Sequence, residues 1–308
     1  MKGSYIIPFT GSLQDFPRDP EVPEGVEVVR FQDAKGYAQR IHANVVYDRV
    51  NDVDLHLQIL VPEDLEGQDT VYPLIVFIPG SAWMKQSVFS ALPAMIRMCE
   101  KDYVVAVVEY RHTGLAEFPA QAEDAKTAIR FMRLHAREYS VDPERIALWG
   151  DSSGGHTALM AGFTIGEYPD NGKYDEVSSA VNCIIDWYGP TDIKEMNSYS
   201  STMDHTEPGS PEGRLIGFHN VIGREDLADQ ASPINYINAE KEFPPLLIMH
   251  GNRDQLVCYQ QSVSLYRKMK ELGKDVRMIC LDGAFHGFGG FQSPEALDLV
   301  DRFIREKM

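Results

Sequence analysis

A serine with glycines two positions to either side, Gly150-Asp151-Ser152-Ser153-Gly154, follows the apolar residues 146–149 and opens into Gly155-His156-Thr157-Ala158-Leu159-Met160-Ala161. Small residues at those two places let a strand turn sharply into a helix, which lifts the central hydroxyl clear of the backbone and aims the positive helix end at it. Only Ser152 fits the frame, because Ser153 would have Asp151 and Gly155 as its flanks. A hydroxyl is a weak nucleophile until a histidine takes its proton and a carboxylate orients that histidine. Both partners stand at other strand ends: Asp254 in His250-Gly251-Asn252-Arg253-Asp254, and His286 in Gly283-Ala284-Phe285-His286-Gly287. The chemistry these three could do is acyl transfer through a covalent serine intermediate. Such chemistry needs backbone N–H groups where negative charge develops on the carbonyl oxygen. The tight turn Pro79-Gly80-Ser81-Ala82-Trp83 leaves an apolar strand and supplies them. The N–H groups of Ser81 and Ala82, with that of Ser153, are assigned to this oxyanion hole.

The elements that must position these residues are read from periodicity. From residue 73 onward apolar runs alternate with helical patterns, the signature of a mostly parallel sheet with helices on both faces. Strands are expected at 74–78, 104–108, 146–149, 181–187, 246–250 and 276–281, preceded by an antiparallel pair at 43–47 and 55–61 around a turn at Asn51-Asp52. One helix starts at Pro119 and carries Ala122, Ala125, Ile129 and Met132 on one face; another covers 259–272 and stops at Gly273. The last begins at Ser293 with Pro294 in its first turn. Residues 1–40, rich in proline, glycine and charge, read as an irregular arm. Residues 190–235 are polar, rich in turn formers and far longer than an ordinary strand connection, so a small cap over the site is expected there.

At 308 residues the chain suits one α/β domain, and its hydrophobic fraction of 44% with 24% charged residues is that of a soluble globule. A formal net charge of −17 argues against nucleic acid or an anionic membrane surface as partner. Cys99, Cys183, Cys258 and Cys280 are far apart with no C-x-x-C pair, so buried thiols are expected rather than a zinc site or disulfides. No histidine and carboxylate cluster has metal spacing and no phosphate-cradling glycine loop occurs, so neither a metal nor a cofactor is expected. The apolar stretch near the N-terminus is too short for a signal peptide, and the longest uncharged stretch, 71–84, is too short to span a bilayer. A cytoplasmic location follows as an expectation, with homo-oligomers left open.

Pro79-Gly80-Ser81-Ala82-Trp83, Glu109-Tyr110-Arg111-His112, Phe118-Pro119-Ala120-Gln121, Gly150-Asp151-Ser152-Ser153-Gly154, Trp187-Tyr188-Gly189-Pro190, His250-Gly251-Asn252-Arg253-Asp254 and Gly283-Ala284-Phe285-His286-Gly287 together resemble the esterase and lipase branch of the α/β-hydrolases. The chain is most similar to bacterial feruloyl- and acetylxylan-esterase-like members. That resemblance runs from about residue 45 to the C-terminus, and the order Ser, Asp, His agrees with it. It implies an α/β-hydrolase fold with an eight-stranded, mostly parallel sheet and a serine esterase acting on a small ester, carbohydrate-derived or aromatic, with short acyl groups. One departure stands out: the family reads H-G-G-G-W where this chain has Pro79-Gly80-Ser81-Ala82-Trp83, and serine and alanine tolerate positive φ less well than glycine. Rival readings are an amide hydrolase of the same fold, a formamidase or small-peptide hydrolase, and a noncatalytic ligand-binding homologue.

Trp83, Trp187 and Tyr188 are candidates for the substrate pocket, against the alternative that large aromatics beside a core are packing. His156 and His250 read as structural, Arg111 and Asp124 as a buried pair. Asp186 and Asp192 are the less favoured candidates for the triad acid, since Asp254 has the better motif and chain position.

Overall fold

Val and Ile fill the central runs of the chain so densely that they can only be strands buried on both faces. The computed structural model describes residues 39–62 and 70–308, with 10–11, 15–17 and 23–25 ahead of them. The chain divides into two units, Met1–Gly36 and Tyr37–Met308. The arm expected over 1–40 lies mostly outside the described residues.

In the second unit β1 (Gln39–Val50) and β2 (Val53–Pro62) form the expected antiparallel pair. Asn51 and Asp52 turn between them with φ of +48° and +64°, values that Asn and Asp accept more readily than most residues. Then follow β3 (Tyr72–Ile78), α1 (Leu92–Cys99), β4 (Val104–Val108), α2 (Ala120–Leu134), β5 (Val141–Asp151), α3 (Ser153–Phe163) and β6 (Cys183–Trp187). After a segment of short helical turns, among them α4 (Pro211–Leu215) and α5 (Glu225–Gln230), come β7 (Leu246–Gly251), α6 (Gln260–Glu271), β8 (Val276–Leu281) and α7 (Pro294–Lys307). The sheet order is β1-β2-β4-β3-β5-β6-β7-β8, antiparallel through the β2·β4 pair and parallel beyond it. This eight-stranded sheet is the α/β-hydrolase arrangement.

Period-2 alternation divides each central strand between two cores. Ile75, Phe77, Val105, Val107 and Trp149 pack with α1 and α7, while Leu74, Val76, Ile78, Val104, Ala106 and Leu148 pack with α2 and α3. The α7 start is capped as its residues require: Ser293 Oγ accepts from the Ala296 N–H at 3.2 Å, with Pro294 in the first turn. Helix α1 had no reading in the sequence. It has eight residues and no side-chain cap, and it holds its place by burying Ala94, Met95, Met98 and Cys99. Strand β5 runs longer than expected because Val141 pairs with Tyr72 across a register shift before Ile146 resumes the ladder with Leu74.

The segment 190–235 has a small core of its own, in which Ile193, Leu215, Ile216, Val221, Ala228 and Ala231 gather around Trp83. Three cysteines are buried and free, as expected, but Cys280 is exposed. It lies on β8, the last strand of the sheet, which has a neighbour on one side only. Among the described residues no helix is long and apolar enough to cross a membrane, and no group of His, Cys, Asp and Glu could hold a metal ion.

Candidate active site

Strand β5 ends at Asp151 and α3 begins at Ser153, so Ser152 occupies the turn alone, at φ +54° and ψ −127°. Two contacts explain the glycines around it. A Cβ on Gly150 would come within 2.1 Å of Gly154 O, and one on Gly154 within 2.0 Å of Ile78 O. The N–H of Ser152 donates to Trp187 O at 2.8 Å, which fixes the turn against β6.

The three residues singled out by type and spacing meet at the carboxyl ends of β5, β7 and β8. Ser152 Oγ is 2.9 Å from His286 Nε2, and His286 Nδ1 is 2.7 Å from Asp254 Oδ2. A carboxylate can only accept, so Nδ1 carries the proton and Nε2 is left to accept from the Ser152 hydroxyl. Asp254 is fully enclosed yet well supplied with donors. Leu256 and Val257 N–H groups donate to Oδ1 at 2.9 Å each, and His250 Nε2 approaches Oδ2 at 3.2 Å. Burial pushes the Asp254 carboxyl up, but the hydrogen bonds from His250 and His286 outweigh it and bring it down to about 2. His250 is thereby oriented as well as orienting: its Nδ1 accepts from Ser262 Oγ at 2.7 Å, which leaves Nε2–H to be shared between Asp254 and Val257 O.

The oxyanion loop departs from the sequence assignment at one position. Ser81 N–H donates to Ser153 Oγ at 2.9 Å and is thus occupied, whereas the amides of Ala82 and Ser153 take no protein acceptor among the described residues. Ala82 and Trp83 stand at φ +55° and +52°, the left-handed backbone that glycines would accept without strain. Side chains brace the loop from beneath. Asp151 Oδ1 accepts from Gly80 N–H at 2.8 Å, and Tyr110 OH reaches Pro79 O at 3.2 Å and Ser81 Oγ at 3.1 Å. The bracing role of Asp151 had a visible signal, since it lies inside the serine pentapeptide.

Of the three aromatic candidates, Tyr188 and Trp83 line the pocket in front of Ser152, a cavity of about 380 Å³. The Tyr188 ring meets His286 edge-on at 4.8 Å, and its hydroxyl donates to Asp151 Oδ2 at 3.3 Å. Trp83 is almost wholly enclosed by the 190–235 segment, and its Nε1–H donates to His156 Nδ1 at 3.2 Å. Trp187 is a correction. It packs edge-on against Trp149 and donates Nε1–H to Met249 Sδ, in the core under the serine turn and outside the lining of this cavity. Its position on β6 turns the indole to the sheet face covered by α7.

The structural readings of the other residues agree with their contacts. His156 donates Nε2–H to Ala231 O at 2.7 Å, and burial pulls its imidazole down to about 4, so it stays neutral and ties α3 to the 190–235 segment. Arg111 holds Asp124 through Nε at 2.9 Å. Asp186 is buried beside Gly155 and Gly189. What spacing did not reveal is the outer wall of the cavity: Met203, His205, Pro211 and Glu212 from the 190–235 segment, and Leu256, Phe288 and Gln292 from later loops.

Several known proteins have related chains. Probable carboxylic ester hydrolase LipM of Mycobacterium tuberculosis is 26% identical over 265 residues, which cover 84% of this chain and 59% of LipM. The chain spans about half to three-fifths of the length of LipM and of the esterases LipQ and LipC from the same organism, which it also matches. Among solved structures, a truncated carbohydrate esterase from gut microbiota superposes with a TM-score of 0.78 at 29% identity, covering 89% of this chain and 98% of that one. Esterase Est2 of the planctomycete Thermogutta terrifontis, with propionate bound, superposes with a TM-score of 0.70 at 27% identity over 86% of this chain and 94% of its own. The BD-FAE family profile matches residues 57–269, which include the oxyanion loop, Ser152 and Asp254; the chain belongs to the BD-FAE family.

Proposed function

We propose that this chain is a serine carboxylic ester hydrolase. The observation that carries the reading is the line Ser152 Oγ, His286, Asp254, with contacts of 2.9 and 2.7 Å, beside a cavity that Ser152 and His286 line. Ser152 attacks the ester carbonyl while His286 Nε2 takes its proton, and the protonated imidazole then returns that proton to the departing alcohol. Asp254, ionised throughout, holds the tautomer and stabilises the imidazolium. Ala82 and Ser153 N–H groups receive the charge on the carbonyl oxygen. Water activated by His286 then releases the acid and frees the serine.

The substrates that fit best are short-acyl esters, acetyl or hydroxycinnamoyl, of sugars or small alcohols. Two observations support this: the cavity is small, and Est2, similar to this chain, has been solved with propionate and with butyrate bound. The 190–235 segment serves as the cap that walls off this cavity.

Hydrolysis of p-nitrophenyl esters of increasing acyl length tests the reading. Turnover should decline beyond the shortest chains, and Ser152→Ala should lower kcat by at least about a thousandfold with the fold intact by circular dichroism. If the wild-type protein hydrolyses no ester, the reading fails in favour of an amide hydrolase or a noncatalytic ligand-binding protein.

A further inference from the structure

The wall of the cavity opposite the serine turn is mostly apolar, built from Met203, Pro211, Leu256, Val257 and Phe288. One carboxylate interrupts it. Glu212, in the first turn of α4, is 2% exposed overall and lines the same cavity as Ser152 and His286. Its Oε2 lies 2.9 Å from His205 Nδ1, and the pair is buried on both sides. The N–H points out of line for a hydrogen bond, however, and Oε2 takes none. Oε2 is left with the ion pair to His205 alone.

A buried carboxylate oxygen with an ion partner and no donor is costly, because desolvation removes its water and the pair alone does not restore it. His205 meets the other half of its own requirement. Its Nε2 lies 2.9 Å from Ser201 Oγ, and that hydroxyl is within reach of the carbonyls of Gln255 and Leu256. With the Ser201 hydrogen given to a carbonyl, Nε2–H donates to Ser201 and Nδ1–H faces Glu212, so the imidazole is protonated. The pair is then neutral as a whole. Its unfilled capacity is for a hydrogen-bond donor without charge, and hydroxyl is the group that matches.

We propose that Glu212, held in the cavity wall by His205, is a specificity-determining group that accepts a hydrogen bond from a hydroxyl of the substrate, so that this site favours esters whose non-reacting part carries a hydroxyl. The inference rests on the esterase reading of the same cavity and adds to it the group that selects among esters.

The test compares cyclohexanediol monoacetate with cyclohexyl acetate, and glyceryl monoacetate with propyl acetate, on wild-type protein and Glu212→Gln. Glutamine keeps the shape and loses the charged acceptor. Hydrogen bonds to charged groups are the strong ones, so kcat/KM for the hydroxylated esters should fall about tenfold, mostly through KM, while the matched plain esters change by less than about twofold. The ratio of the two substrates on one preparation cancels any difference in folded fraction. Equal losses on hydroxylated and plain esters, or no loss on either, overturn the role of Glu212 while leaving the esterase reading intact. A wild-type protein that hydrolyses none of the four esters overturns both. A second variant, His205→Asn, should lose the same preference by releasing the Glu212 side chain, and preference retained there and in Glu212→Gln counts against the proposal.

Discussion

Two consecutive residues of the loop after β3 stand in the left-handed region, Ala82 at φ +55° and Trp83 at φ +52°. Such a backbone costs an alanine about 1 kcal/mol relative to glycine, and it persists because Asp151, Ser153 and Tyr110 hold the loop from three sides. Ala82→Gly should therefore keep esterase activity and raise stability by about 0.5 kcal/mol, the relief of strain being partly offset by a freer unfolded chain. Chemical denaturation beside p-nitrophenyl acetate turnover checks it; a clear loss of stability would mean that the alanine methyl is packed to advantage. The same scale shows how Asp254 stays charged beside His286, as the proposed triad requires. Two backbone amides and two histidines converge on it, so it remains ionised in a buried position where a lone carboxyl would not.

At the scale of elements, α3 is the piece on which the site depends. Its first turn is pressed so closely onto the end of β3 that glycine is the only residue with room, and its far end is closed by Lys126, whose buried amino group donates to the carbonyls of Thr164, Glu167 and Pro169. Gly154→Ala would drive a methyl into Ile78 O, which is backbone and cannot swing aside. Destabilisation of more than about 3 kcal/mol is expected, with activity lost alongside. Gly223→Ala, where a Cβ meets nothing within 4 Å, is the control and should alter neither stability nor turnover measurably. Urea unfolding of both variants separates a tight approach from a general intolerance of the larger residue. The 190–235 segment depends on α3 as well, because His156 joins Ala231 to Trp83 across it.

For the molecule as a whole, stability depends on pH through several buried acids, and Asp186 is the one held with the fewest partners. Burial pushes Asp186 up to about 7, against the single hydrogen bond from Gly189 N–H, and its Oδ2 has no partner among the described residues. In the unfolded chain an aspartate titrates near about 4. Between those values the folded state binds the proton more tightly, so stability falls as pH rises through roughly 4 to 7 and the cost persists above it. Asp186→Asn can keep the Gly189 contact and removes the charge. Its gain in Tm should be a few degrees larger at pH 8 than at pH 5, as read by differential scanning fluorimetry; equal gains at both would mean that Asp186 is not ionised in this range.

Residue type and order were enough to single out Ser152, His286 and Asp254, which the fold brings within hydrogen-bond reach of one another, because a sharp strand-to-helix turn demands glycines at fixed offsets and because loops at strand ends leave polar residues in plain view between apolar runs. The parallel strand 104–108, buried on both faces, was equally legible from its uninterrupted apolar texture. Three features were decided only by the tertiary structure. Ser81 looked like an oxyanion donor until Ser153 Oγ came within 2.9 Å of its amide. Trp187 looked like a pocket residue until the twist and layering of the sheet turned it to the α7 face. His205 and Glu212 carried no signal, being seven residues apart in a polar segment, until the chain folded back and buried them in the wall of the cavity. Local spacing encodes what a turn or a strand must be. Which face a side chain meets, and which amide is already occupied, depends on contacts between residues far apart in sequence, and those exist only once the sheet, its helices and the segment above them have closed on one another.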